Sequence, residues 1–233
     1  MGRRTWRGVL GALGLAAGLL TVTTAGTAPA SAAVVLCSPA HPSTAAAALG
    51  QVVAEDLATL GDLTAQVQAS TTLSAADRAT LLTDLGDETS GLQDLAATVT
   101  AATTCAELRA ARRSLVLTYR VGEVMAPQAR LVLAADRLSA VATTLAGYQV
   151  GLEKGTVHGA STAVVDQLDA SGVHLAAAER LLDGVSGRVL AQTPAGAPGN
   201  RAVFETALED LRRASAQLQA SSSHLRQVVT ALH

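Results

Sequence analysis

Residues 200–232, NRAVFETALEDLRRASAQLQASSSHLRQVVTAL, set Phe204, Leu211, Leu218, Leu225 and Leu232 seven residues apart without a slip. Three or four residues from these large side chains stand small ones, Ala207, Ala214, Ser215 and Ser222. An apolar residue every seven is the period at which α-helices lie side by side at a shallow angle. A strand would alternate every two residues, and this stretch does not. The stretch predicts one long helix, with Asn200 as its cap after the Pro/Gly loop Thr193–Gly199. One large and one small residue per repeat lets helix backbones approach closely.

The same period recurs upstream. Ser43, following Pro42, is the expected cap of a helix reaching about Ala69, with Val53, Leu60 and Val67 seven apart. Ser74-Ala-Ala-Asp77 resembles a capping box and opens a second helix, where Leu85, Leu92 and Val99 repeat and Leu81 and Leu95 flank them. Thr104-Cys-Ala-Glu107 is a fuller capping box and starts a third. From Leu117 the heptad runs through Val124, Leu131, Leu138, Leu145 and Leu152 to Lys154-Gly155. A fifth segment, about 160–190, carries Leu168, Leu175, Leu182 and Val189. Helices of about 30 residues are about 45 Å long, so an elongated antiparallel bundle is expected.

Pro127 interrupts this pattern. Its ring would crowd the carbonyl of Glu123 in an unbroken helix, and Gly122 lies just ahead. A kink or break is therefore expected at 125–127. Residues 43–124 and 127–233 then form two three-helix sets sharing the bent helix, preceded by an N-terminal segment, 33–42. The alternative is a single bundle over 43–233.

Composition agrees with an all-α class. The chain of 233 residues is 49% apolar but only 2% aromatic, with no Ile and one Lys, Lys154. Ala and Leu favour helix, whereas the residues that strands prefer are scarce. So apolar a chain is not an intrinsically disordered one.

The first 32 residues read as a secretory leader. Arg3, Arg4 and Arg7 precede the apolar run Val9–Val22, and Ala30-Ser31-Ala32 supplies the small residues of a cleavage site. Cleavage is expected after Ala32, with Ala33 as the alternative. The apolar run falls short of the roughly 20 residues that span a bilayer, so no stable membrane insertion is expected after cleavage. Leu36 before Cys37 argues against lipid attachment, because that reaction needs a small residue there. Arg3-Arg4 also suggests twin-arginine export, but Arg7 stands where that signal has an apolar residue, so ordinary export is expected. Removal of the leader leaves 14 basic against 19 acidic residues, a charge of −5. A mildly acidic surface argues against a nucleic-acid partner.

Two cysteines remain, Cys37 and Cys105. In an oxidising compartment they have one possible intramolecular pairing, and an up-down-up set of three helices brings the starts of the first and third to one end. A structural disulfide is the expectation.

Catalytic and metal-binding patterns are missing. His41, His158, His174, His224 and His233 show no i,i+4 pairing and no neighbouring Cys, so no metal site is expected. His174 and His224 each precede a heptad Leu and read as half-exposed bundle residues. Asp166 and Asp169 read as a solvated first turn. Gly159-Ala-Ser161 lacks both the closing Gly and the preceding strand of a nucleophile elbow. No phosphate loop or dinucleotide fingerprint occurs, and three aromatics after processing are too few for sugar platforms. Neither a cofactor nor an enzymatic activity is expected.

One cluster stands out: Leu117-Thr-Tyr119-Arg120-Val-Gly122-Glu123-Val-Met125-Ala-Pro127, followed by Arg130 and Ala134-Ala-Asp136-Arg137. It joins an aromatic, both kink formers and several charges, so Tyr119, Arg120 and Pro127 are the candidate contact site. Cys105, Tyr119-Arg120-Val121, Pro127 and Ala134-Ala135-Asp136-Arg137 resemble a segment of uncharacterised secreted Ala-rich helical proteins of actinobacteria. Those proteins have Tyr-Arg-Val-Tyr, and this chain has Gly122 at the fourth place. The resemblance implies a secreted helical fold and no activity. The expected role is contact with a protein or cell-envelope component, with self-association into a homo-oligomer as one form of it. The alternative is a carrier of a small apolar ligand held between helices.

Overall fold

The computed structural model describes residues 37–38, 41–156 and 161–232. The leader, with Ala32 and Ala33, and His158 and His233 lie outside them. All regular structure among the described residues is helical. The elements are α1 (Pro42–Ala69), α2 (Ala75–Ala101), α3 (Cys105–Ser114), two π-helical segments (Leu115–Tyr119 and Val121–Met125), α4 (Ala126–Thr156), α5 (Thr162–Leu182), α6 (Val185–Leu190), a 3-10 turn (Pro194–Gly196) and α7 (Asn200–Ala231). No described helix is long and apolar enough to cross a membrane.

The chain forms two compact units. Among the described residues, the first draws on those within 37–133 and 186–206, the second on those within 134–185 and 207–232. Division at residues 124–127 into two contiguous sets is not what the contacts produce. The crossing points fall inside α4 and α7, and the stretch from Ser186 returns to the first unit.

In the first unit the heptad residues Val53, Leu60 and Val67 of α1 and Leu85, Leu92 and Val99 of α2 are buried, together with Leu63, Leu81 and Leu95. Each such side chain contributes about 1.5–3 kcal/mol by leaving water. Ser74 caps α2 by accepting from the Asp77 N–H at 3.0 Å. Thr104 and Glu107 form the reciprocal box on α3, with Thr104 Oγ1 accepting from Glu107 N at 3.3 Å and Glu107 Oε2 accepting from Thr104 N at 3.0 Å. Two expected caps differ. α1 begins at Pro42, whose absent N–H costs nothing in a first turn, and His41 precedes it with no side-chain bond. Asn200 is buried and donates to Thr193 O at 2.6 Å, tying down the preceding loop instead of capping α7.

The turn between α1 and α2 is closed by Arg78. Its guanidinium donates to Val67 O and Gln68 O, each at 2.9 Å, and to Ser70 O. Val67 O and Gln68 O are end carbonyls of α1 that no helical N–H reaches, and Ser70 is the residue that follows the helix. Cys37 and Cys105 lie at disulfide distance, with Cα atoms 5.6 Å apart, joining the segment before α1 to the start of α3.

In the second unit Leu138, Leu145 and Leu152 of α4, Leu168 and Leu175 of α5, and Leu211, Leu218 and Leu225 of α7 are buried. Ala142, Ala178, Ala207 and Ala214 are buried among them, as the large-and-small repeat requires. The helix expected over 160–190 is split. α5 stops at Leu182, Gly184 adopts φ 66°, and α6 begins at Val185. The left-handed glycine ends the helix as a C-terminal cap does, and Asp183 N donates to Glu179 O at 2.9 Å.

Candidate contact site at the helix break

The third helix breaks at Arg120, earlier than the expected 125–127. Arg120 has φ 40° and ψ 42°, the left-handed region, between the two π-helical segments. A side chain in that conformation costs about 1–2 kcal/mol. Pro127 is the second residue of the new helix α4, where its missing N–H is easily accommodated. Ala126 N donates to Val121 O, five residues back, so the turn ahead of the proline is widened. That widening relieves the crowding an α-helical turn would impose between the ring and Glu123.

Each π turn holds more residues than an α turn, and the heptad phase slips accordingly. Leu117, expected in the buried register, is 53% exposed, and Val116 beside it is 45% exposed. Leu115 and Val121 take the inward positions.

Arg120 Nη1 donates to Glu123 Oε2 at 2.9 Å, and Arg120 Nε to Leu117 O at 3.4 Å. Its backbone carbonyl accepts from Glu123 N at 3.1 Å and Val124 N at 2.9 Å. These bonds hold the left-handed residue in place. Tyr119 lies against α2 at Gly91, where an added Cβ would stand 2.5 Å from Tyr119 Cε1 and 3.0 Å from Oη. A mid-helix glycine costs about 1 kcal/mol against Ala, and here it makes room for the ring.

The neighbourhood of this ring is acidic. Glu88 on α2 has a buried Oε1 with no hydrogen-bond partner. Burial, and secondarily the Asp56 charge from α1, push its carboxyl up to about 7. Asp56 is raised by burial and by Glu55. The Tyr119 phenol is raised by burial and by the charges of Glu88 and Asp94. A carboxyl poised near neutrality can take up or release a proton in that range.

Tyr119, Arg120 and Pro127 thus share one break, with Tyr119 and Arg120 half-buried and Val116 and Leu117 standing out. Sequence reasoning missed Glu88, Asp56 and Gly91. Gly91 carried a signal, as a glycine inside an otherwise good helix, while the carboxylates resembled any other exposed charges. Asp166 and Asp169 are exposed as expected, and Ser161 makes no side-chain cap. In the second unit an open groove of about 900 Å³ is lined by Ser139 and Thr143 of α4, Glu179 and Arg180 of α5, and the Asp183-Gly184 turn. Among the described residues no group of three or more His, Cys, Asp or Glu is arranged to hold a metal ion. No protein-family model, curated protein or solved structure matches this chain.

Proposed function

We propose that this is a secreted, non-enzymatic helical-bundle protein that acts by contact with a protein or cell-envelope component, and that the break at 115–125 is the contacting element. The observation that carries this reading is the pair Val116 and Leu117, turned outward at 45% and 53% exposure beside the strained Arg120. Tyr119 and Arg120 are of the residue types that most often anchor interfaces, and Val116 and Leu117 add exposed apolar surface beside them. Secretion is supported by the basic and apolar leader and by the Cys37–Cys105 pair, which persists only in an oxidising compartment.

The test is binding of the purified protein to envelope fractions of its host. Leu117→Glu and Val116→Glu should each abolish retention. Val173→Glu, at another exposed valine (66%), should leave it intact. Equal retention of all three variants refutes the site. Edman sequencing of the exported protein should begin at Ala33 or Val34, and an intact leader would refute secretion by cleavage.

A further inference from the structure

The contact element packs against an ionisable group that nothing in the fold compensates. Glu88 Oε1 is buried and accepts no hydrogen bond, and among the described residues no Arg or Lys pairs with this carboxyl. Tyr119 seats its ring on Gly91, three residues further along α2, so ring and carboxyl are neighbours on that helix. The groups that face Glu88 offer no positive charge. Asp56 comes from α1, with Glu55 beside it, and the Tyr119 phenol comes from the break, where the Asp94 charge also acts on it. On α2 itself Asp84 lies one turn before Glu88, next to Asp87.

Ionisation releases the Glu88 proton to solvent and leaves a buried charge without a partner, which only water can then satisfy. Something must yield to admit that water. Asp56 and Glu88 stand inside long α-helices, whereas Tyr119 ends a π-helical turn and precedes the left-handed Arg120. Irregular segments open at lower cost than packed helices, so the ring is the part that moves. A neutral Glu88 leaves it in place, and an ionised one, repelled by Asp56, favours its departure. Burial and Asp56 raise the carboxyl from 4.5 to about 7 with the ring seated. The seated form therefore loses ground as pH rises from 4.5 to 7, by up to about tenfold per pH unit, and no further above that.

We propose that Glu88 is a proton-sensitive latch on the contact element: its neutral carboxyl keeps Tyr119 seated on Gly91, and its ionisation unseats the ring and displaces Val116 and Leu117 just ahead of it. The effect on contact rests on the function proposed above, whereas the coupling of carboxyl to ring does not. That coupling is reciprocal, so nuclear magnetic resonance of the full exported protein tests it from both sides. In wild type the Overhauser contact between the Tyr119 ring and the Gly91 α-protons should weaken by about twofold or more from pH 5 to pH 8. In Glu88→Gln it should not change. In Tyr119→Ala the Glu88 carboxyl midpoint should fall by about one pH unit or more towards 4.5. A contact that ignores pH, one that still weakens in Glu88→Gln, or an unmoved Glu88 midpoint overturns the latch. Should Tyr119→Ala not fold, the Overhauser comparison with the isosteric Glu88→Gln decides alone. Envelope retention measured at the same two pH values should fall at pH 8 in wild type and hold in Glu88→Gln. Retention independent of pH beside a moving ring overturns control of the contact, and no retention at either pH refutes the contact function while the ring upholds the latch.

Discussion

Replacing Glu88 with Gln should stabilise the first unit, and only at neutral and alkaline pH. Glu88 sits half-buried between α1 and α2 with an unpartnered Oε1, and its carboxyl is raised from 4.5 to about 7 by burial and then by Asp56. The folded protein therefore holds the Glu88 proton more tightly than the unfolded chain. The Glu88 contribution to stability is most favourable below pH 4.5, falls as pH rises towards 7, and levels off above that. The full shift corresponds to about 3 kcal/mol at about 1.4 kcal/mol per pH unit. The side chain is half-exposed and water screens its charge, which reduces the expected effect to about 1–2 kcal/mol. Glutamine keeps the shape and cannot ionise. Urea unfolding followed by circular dichroism should show Glu88→Gln more stable than wild type by that amount at pH 8, with the gap closing by pH 4. Asp56→Asn should move the wild-type transition to lower pH by removing the second cause. A gap independent of pH, or a variant less stable at pH 8, would refute the assignment of an uncompensated buried charge.

Two further outcomes test the packing. Gly91→Ala should destabilise by about 1 kcal/mol despite the better helix propensity of Ala, because its Cβ would meet the Tyr119 ring at 2.5 Å; in a Tyr119→Ala background the same change should stabilise, and stabilisation in the wild-type background would sink the contact. Reduction of the Cys37–Cys105 bridge, which closes a separation of 68 residues, should lower thermal stability by up to about 4 kcal/mol in the chain-entropy account; an unchanged unfolding midpoint after verified reduction would show that the loop is already constrained in the unfolded chain.

The readable parts of this fold are those written in local periods. Leu85, Leu92 and Val99 are buried where a repeat of seven puts them, and the Thr104–Glu107 box caps the helix it announces. The errors cluster where the period itself changes. Leu117 was in phase by counting, yet the π turns around Arg120 carry surplus residues and rotate it to the surface. Pro127 announced the disturbance, but a proline is tolerated in a first turn, so the break moved upstream to the left-handed residue. Gly184 ended a helix that the heptad alone would have continued through Val189.

By itself the sequence determined the helical class, the large-and-small core stripes, the cysteine pairing and the neighbourhood of the break, because each depends on spacing along one chain. Tertiary structure alone decided which positions meet across helices. Gly91 receives Tyr119, Asp56 faces Glu88 closely enough to shift it, and His174 stacks on His224 with each ring clasped from the opposite helix. Those pairings depend on the relative register of separate helices. A heptad repeat specifies which stripe is buried, but it is unchanged by sliding one helix past another by seven residues, so buried polar partners are settled only when the helices pack.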